Sequence, residues 1–354
     1  RGWYIDDENA SADNTNTYAD QRFRLMGKLS VAEGVNIVFR TDITDGVWGN
    51  QAVTSGIGKD SATKNSQEWD RAFIDLTKDS VNLQAGQLFT SLGAIGTFNA
   101  QSNGLILNVK GPVAVQAFYM LNNNDNDATV ADDTYAGLQI SHSSDVYTGK
   151  LFIANDQADA KDIYVYGVSL NYKLDAINLT AEFDYFSGDA TATNDAVGTQ
   201  FYLDGNMAVS EAITVGAEFF YAKGNDDATD DQIAFIGNDA AGWDPLFDVG
   251  TGLSNEDLGL GRPFELDTDS GVVAGRLYLK GKATDELSYG ASIAYGEPEE
   301  DSVTTVDSVM AYAAGLSYAV MANTSLDLQV EYIDVDETGT EEVLQGGMGL
   351  FVKF

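Results

Sequence analysis

Period-two alternation runs through this chain from end to end, and it decides what backbone can carry it. Over 163–173, Tyr164, Tyr166, Val168, Leu170 and Tyr172 fall on one face and Val165, Gly167, Ser169 and Asn171 on the other. Ile177, Leu179, Ala181, Phe183 and Tyr185 oppose Asn178, Thr180, Glu182 and Asp184 in the next run. The same split recurs at 212–222, at 310–318 and at 325–332, where Ile333 and Asp334 then reverse it, as a strand running out into a loop would. No helical stripe at i, i+3, i+4, i+7 is sustained anywhere, and no apolar run approaches the ~20 residues of a membrane-spanning helix. The four prolines (Pro112, Pro245, Pro263, Pro298) all fall between alternating runs, where no ladder needs their missing N–H. Such a chain is all-β.

Composition narrows the function classes. With 19 basic against 55 acidic side chains the formal net charge is −36, which excludes nucleic acid as a partner, since phosphate binding rests on Lys and Arg. The absence of cysteine removes disulfides, thiol nucleophiles, thiolate zinc sites and covalently attached haem. His142 is the one histidine, and it lies in Ser141-His142-Ser143 beside a short turn. That is a poor place for a triad, and no glycine loop opens a helix to hold phosphate. The chain reads as no enzyme and needs no cofactor.

Connection lengths give the architecture. Short connections fall near 31–34, 78–80, 110–112, 143–145, 174–175, 210–211, 283–285 and 320–323. Longer, acidic, Gly/Asn-rich ones fall near 6–16, 44–66, 93–102, 122–132, 155–161, 188–196, 225–268, 298–305 and 335–341. Short and long alternate, joining about 18 strands of ~10 residues whose apolar faces end in Tyr or Phe. A soluble sandwich would have to bury all those faces against one another. The expectation is a single domain over 1–354: a transmembrane antiparallel β-barrel with short periplasmic turns and long acidic extracellular loops. An even strand number puts both termini on the short-turn side, so Arg1–Ile5 is expected to continue a strand already begun.

At this point the chain resembles the bacterial outer-membrane porins. The likeness is sharpest at Gly346-Gly347-Met348-Gly349-Leu350-Phe351-Val352-Lys353-Phe354, an alternating strand ending in an aromatic residue, while Asp20-Gln21-Arg22-Phe23-Arg24-Leu25 is similar to the second strand of 18-stranded porins. The resemblance implies an integral outer-membrane location among lipid and lipopolysaccharide, and Phe354 as the signal read by the barrel-assembly machinery. It also implies passive diffusion of small hydrophilic solutes and leaves monomer and homotrimer both open. The alternatives are a substrate-specific channel or exporter for a sugar or acidic polymer, and a structural or partner-binding barrel.

If the apolar faces meet lipid, the polar faces line the pore. The basic residues expected there are Arg22, Arg24, Lys28, Arg40 and Arg71 on neighbouring strands, with Lys150, Arg276 and Lys280 further round. The acidic ones are Glu182, Asp184, Asp204, Glu218, Asp327 and Glu331. Opposed walls of unlike charge would set a transverse field, and the acidic loops would add a weak cation preference. The resemblance to porins also implies a loop folded inward to narrow the bore, for which the candidates are 93–102 and 225–268, the latter carrying Trp243-Asp244-Pro245-Leu246-Phe247. Asp125 and Asp127, and Asp226, Asp227, Asp230 and Asp231, supply clustered oxygens of the kind Ca²⁺ accepts, though neither cluster has the EF-hand spacing and a solvated acidic surface is the favoured account of both.

Overall fold

The computed structural model describes residues 1–9, 12–47, 68–123, 133–159, 161–224, 231–232, 270–300, 306–337 and 341–353. In chain order the strands are β1 (Gly2–Asn9), β2 (Ala12–Ala32), β3 (Val35–Val47), β4 (Glu68–Lys78), β5 (Val81–Leu92) and β6 (Phe98–Val109). Next come β7 (Val113–Asn123), β8 (Asp133–Ser143), β9 (Tyr147–Ala158), β10 (Lys161–Leu174), β11 (Ile177–Asp189), β12 (Asp195–Ala208) and β13 (Ile213–Ala222). The two-residue β14 (Asp231–Gln232) precedes β15 (Val272–Lys282), β16 (Leu287–Glu297), β17 (Val306–Met321), β18 (Thr324–Glu337) and β19 (Glu341–Val352).

Each long strand pairs antiparallel with its neighbours in the chain, and β13 pairs with β15. β1 pairs with β2 on one edge and with β19 on the other, so the circuit of pairings returns to its start. β14 stands outside it, touching the start of β12 in parallel. A sheet without a free edge answers two problems together: it leaves no unpaired ladder, and it satisfies backbone groups where lipid offers no hydrogen bonds.

Register fixes which side chains face out. All eight short turns fall where the alternation places them. Direct cross-strand partners share a face, so Leu170↔Ala181, Val168↔Phe183 and Tyr166↔Tyr185 form one apolar band. Every long strand of the circuit adds exposed apolar side chains to that band; Leu151 is 60% and Leu277 62% accessible. Tyr166 and Tyr185, and Tyr312 and Tyr332, meet across strands as tilted ring pairs with centroids 6.3 Å apart. A continuous apolar belt of this extent has one compatible solvent, lipid.

The long-loop side departs from expectation in four places. The described residues of 6–16, 155–161 and 335–341 are largely strand: β1 and β2 stay paired to Asn9↔Ala12, β9 and β10 to Ala158↔Lys161, and β17 and β18 to Val306↔Glu337. The fourth is 93–102, treated below. Ile333 therefore does not begin a loop. It is buried on the inner face with Ala294, Val309 and Ala311, while Asp334 points outward. Above the lipid belt the outer face meets water, so face polarity can invert without ending the strand.

Candidate functional site

The ladder of β5 with β4 stops at Ala72↔Gln87, and that of β6 with β7 stops at Asn103↔Leu121. β5 and β6 nevertheless remain paired with each other as far as Leu92↔Phe98. Residues 88–102 thus form a hairpin that leaves the wall and bends inward. Gly86 and Gly104 sit directly opposite each other at the departure point. Gly86 has φ 137°, a conformation closed to most side chains, and a Cβ on either glycine would run into the backbone of β4 or β7. Side chains take over hydrogen bonds that the ladder gives up. Gln87 Nε2 donates to the Trp69 carbonyl at 2.5 Å, Gln101 Nε2 to Asp70 Oδ1 at 2.9 Å, and Ser102 Oγ to the Leu121 carbonyl.

The tip of the hairpin lands on strands β8, β9, β11 and β12. Gly93 N–H donates to Gln139 Oε1 at 3.1 Å, and Lys150 Nζ donates to the Gly93 carbonyl at 2.5 Å. The Glu182 carboxylate accepts the N–H groups of Ala94 and Ile95, and Thr97 Oγ1 lies 2.6 Å from Glu182 Oε1 and 2.9 Å from Asp184 Oδ2. Gln200 Nε2 closes the cluster, 2.9 Å from Thr97 Oγ1 and 2.8 Å from Asp184 Oδ2. Gly93 has φ 85°, and a Cβ there would collide with the Glu182 carboxylate.

Beneath the tip the contact is apolar. Leu88, Leu92, Phe98 and Ala100 from the hairpin pack with Ile106, Phe118, Met120, Phe152, Ala154, Ile163, Val165, Phe186 and Ala196 in one buried cluster. Ile95 packs against a second, formed by Tyr202, Phe220, Ala222, Val272 and Ala274. Gly167 leaves the space that the Phe152 ring and the Asp184 carboxylate fill. With these residues turned to the wall, the opposite side of the hairpin carries Phe89, whose ring lies 4.7 Å from the Arg71 guanidinium.

Across the barrel the basic residues gather on β2, β3 and β4. Arg22, Arg24 and Lys28 are exposed on β2, and Arg40 of β3 is registered against Arg71 of β4. Two of these charges, and Arg1 beside them, have acidic partners. Arg24 grips Asp42 with two bonds of 2.6 and 2.9 Å, Arg40 pairs with Asp70, and Arg1 grips Asp20 at 2.7 Å. On β15, Arg276 bonds Glu218 at 2.6 Å and, with Lys280, flanks the Tyr278 ring. Tyr202 donates to Glu218 at 2.9 Å and Tyr278 to Asp204 at 2.8 Å. Ser317 donates to Asp327 at 2.6 Å, and Gln345 to Glu331 at 2.5 Å.

No family model matches the chain, and no curated protein does. Solved structures do. OccK9 (OpdG) of Pseudomonas aeruginosa aligns over 99% of this chain and 96% of its own, with TM-score 0.63 and 14% identity. A BenF-like porin from Pseudomonas fluorescens Pf-5 gives 0.61 at 11% identity, covering 99% of this chain and 97% of its own. An anion-selective porin from Comamonas acidovorans gives 0.56 at 11% identity, covering 99% of each chain. The fold is that of the bacterial outer-membrane porins.

Within this porin-like barrel the charged residues expected in the pore divide into two groups. Arg22, Arg24 and Lys28 are exposed, and Arg40, Arg71, Lys150, Lys280, Asp204 and Glu218 are half-buried. Glu182 and Asp184, 1% and 0% accessible, lie under the hairpin and hold it, so water does not reach them as it would a pore-lining acid. Arg276, Asp327 and Glu331 are buried as well. The sequence reading missed the inward apolar cluster and the acids Asp20, Asp42 and Asp70 beside the arginines. A signal for the first existed in bulky residues on both faces of one strand, as at Leu88-Phe89 and Val165-Tyr166. His142 faces outward and stacks on Tyr147, 5.5 Å between ring centres. Segment 225–268 apart from 231–232, Phe354, and the side chains of Asp125, Asp127, Asp226, Asp227, Asp230 and Asp231 lie outside the described residues. Among the described residues no group of three or more His, Asp or Glu side chains is placed to hold a metal ion.

Proposed function

We propose that the chain is an integral porin of the Gram-negative outer membrane, passing small hydrophilic solutes and ions by passive diffusion through a water-filled barrel. One observation supports this most: Arg22, Arg24 and Lys28 are exposed on the inner face of a circuit whose outer face is apolar. Guanidinium and ammonium groups facing a dry interior would cost several kcal/mol each, so this interior holds water. The inward hairpin then acts as the constriction, with Phe89 and Arg71 at its edge. Membrane insertion through Phe354 by the assembly machinery, and contact with lipopolysaccharide, belong to the same reading. Transport of this kind needs no cofactor and no energy source.

The inner wall adds a selectivity that the acidic composition hides. The charges it exposes are basic, while Glu182, Asp184, Asp327 and Glu331 are withdrawn from water. At the level of the barrel we infer a preference for anions, opposed by the acidic loops at the mouth. Planar-bilayer recording of the purified protein tests both parts. A large ohmic conductance whose reversal potential in a salt gradient favours chloride supports them. Silence from a folded barrel would end the porin reading, and saturable block by one solute class would replace general diffusion with a specific channel.

A further inference from the structure

Among the described residues, the hairpin 88–102 is the one stretch of the circuit whose two edges are both released from their neighbours while its own ladder stays intact. It is therefore a unit that can move without breaking its internal pairing. Two seats are available to it. In the observed seat its tip is clamped by Gln139, Lys150, Glu182 and Gln200, and its underside is buried on the inner wall. The other seat is the wall itself. β4 runs on to Glu68 beyond its last pair with β5, and β7 runs on to Asn123 beyond its last pair with β6. The Trp69, Asp70 and Leu121 carbonyls left by that gap are met by the side chains of Gln87, Gln101 and Ser102, bonds that a returning ladder would replace.

We propose that the hairpin is a gate with two seats, hinged at Gly86 and Gly104, with the clamp at Thr97 and Glu182 setting how often it leaves the inner wall for the sheet. The proposal rests on the porin reading. Leaving the clamp removes the arm from the bore, so the undocked state conducts more. The docked seat dominates because the wall seat would turn Leu88, Leu92, Phe98 and Ala100 toward water. The clamp biases the balance further, through hydrogen bonds to a carboxylate where water is excluded. Glu182 is thus a positioning residue: it acts on permeation through the hairpin.

The test is single-channel recording of the full chain. For the native protein a single dominant level with rare, brief steps to a wider one is expected. Thr97→Val with Glu182→Gln should raise the time spent in the wider level at least ~10-fold, the effect of weakening one charge-assisted contact. Because the chain has no cysteine, a second variant is clean: Thr97→Cys with Gln200→Cys, bridged by a short bis-methanethiosulfonate. Bridging should abolish the wider level within a recording, and a reductant should restore it. A folded Thr97→Val, Glu182→Gln protein with native levels, or wider steps that persist through bridging, would overturn the gate. If the native protein is silent, the porin reading fails instead.

Discussion

Arg24 and Asp42 are direct partners beside a register shift in the β2–β3 ladder, bound at 2.6 and 2.9 Å, with the guanidinium side chain still 38% accessible. A pair so wet contributes little to stability, about 0–1 kcal/mol, so under the proposed porin function its consequence lies in the field it sets along the inner face. Replacing Arg22 and Arg24 with Ala removes two positive charges and leaves Asp42 without its bidentate partner. The reversal potential in a salt gradient should move toward cations; an unchanged value would remove both residues from the ion path. Gly93 makes a different argument at the same scale. Its positive φ and the Glu182 carboxylate against its α-carbon leave no room for a methyl group. Gly93→Ala should cost about 1–2 kcal/mol from the left-handed backbone alone. Amide exchange at 92–98 should accelerate accordingly, while the strands of the wall keep their protection.

Among the elements, the β5–β6 hairpin does what no single strand could. Each of its strands is half wall and half plug, and the change occurs at a pair of facing glycines. Its underside is apolar, so the usual rule for a barrel, apolar out and polar in, fails over the inner faces of β7 to β12. Replacing 88–102 by a two-residue turn should raise single-channel conductance several-fold and expose Phe118, Met120, Phe152 and Phe186 to the lumen. The same conductance after that deletion would mean the bore is narrowed elsewhere. Phe118→Asp tests the cluster without shortening the chain. It buries a charge against Phe98 and should cost ~3–5 kcal/mol in a folding titration, as an uncompensated buried charge does.

For the whole molecule, the closed circuit and its apolar belt make one statement about environment. Leu277, 62% accessible near the middle of β15, should tolerate no charge. Leu277→Arg is expected to cost about 2–4 kcal/mol of folding into lipid vesicles, whereas Arg22→Leu on the inner face should cost far less. Equal costs for the two would contradict the assignment of faces.

Much of this is legible in the sequence, for a physical reason. Side chains on a strand alternate strictly, so a run such as Tyr164, Tyr166, Val168, Leu170 declares its strand, its face and its apolar surroundings together. Eight tight turns at the expected places then set the strand order, because neighbours in the chain become neighbours in the sheet. Where the alternation carried no contrast, as in the polar stretches 6–9, 12–16 and 335–337, the ladder continued unseen, since backbone pairing does not depend on polarity once both neighbours are in place. The function of Glu182 and Asp184 was hidden more deeply. Local pattern puts them on the inner face, and it does so correctly, but whether that face meets water depends on a hairpin 80 to 90 residues earlier in the chain. By itself the sequence determined the strands, their faces and the barrel, all consequences of contacts between near neighbours. Tertiary structure alone decided which inner charges stay wet and which are spent holding the inward hairpin, because that is settled where distant segments meet.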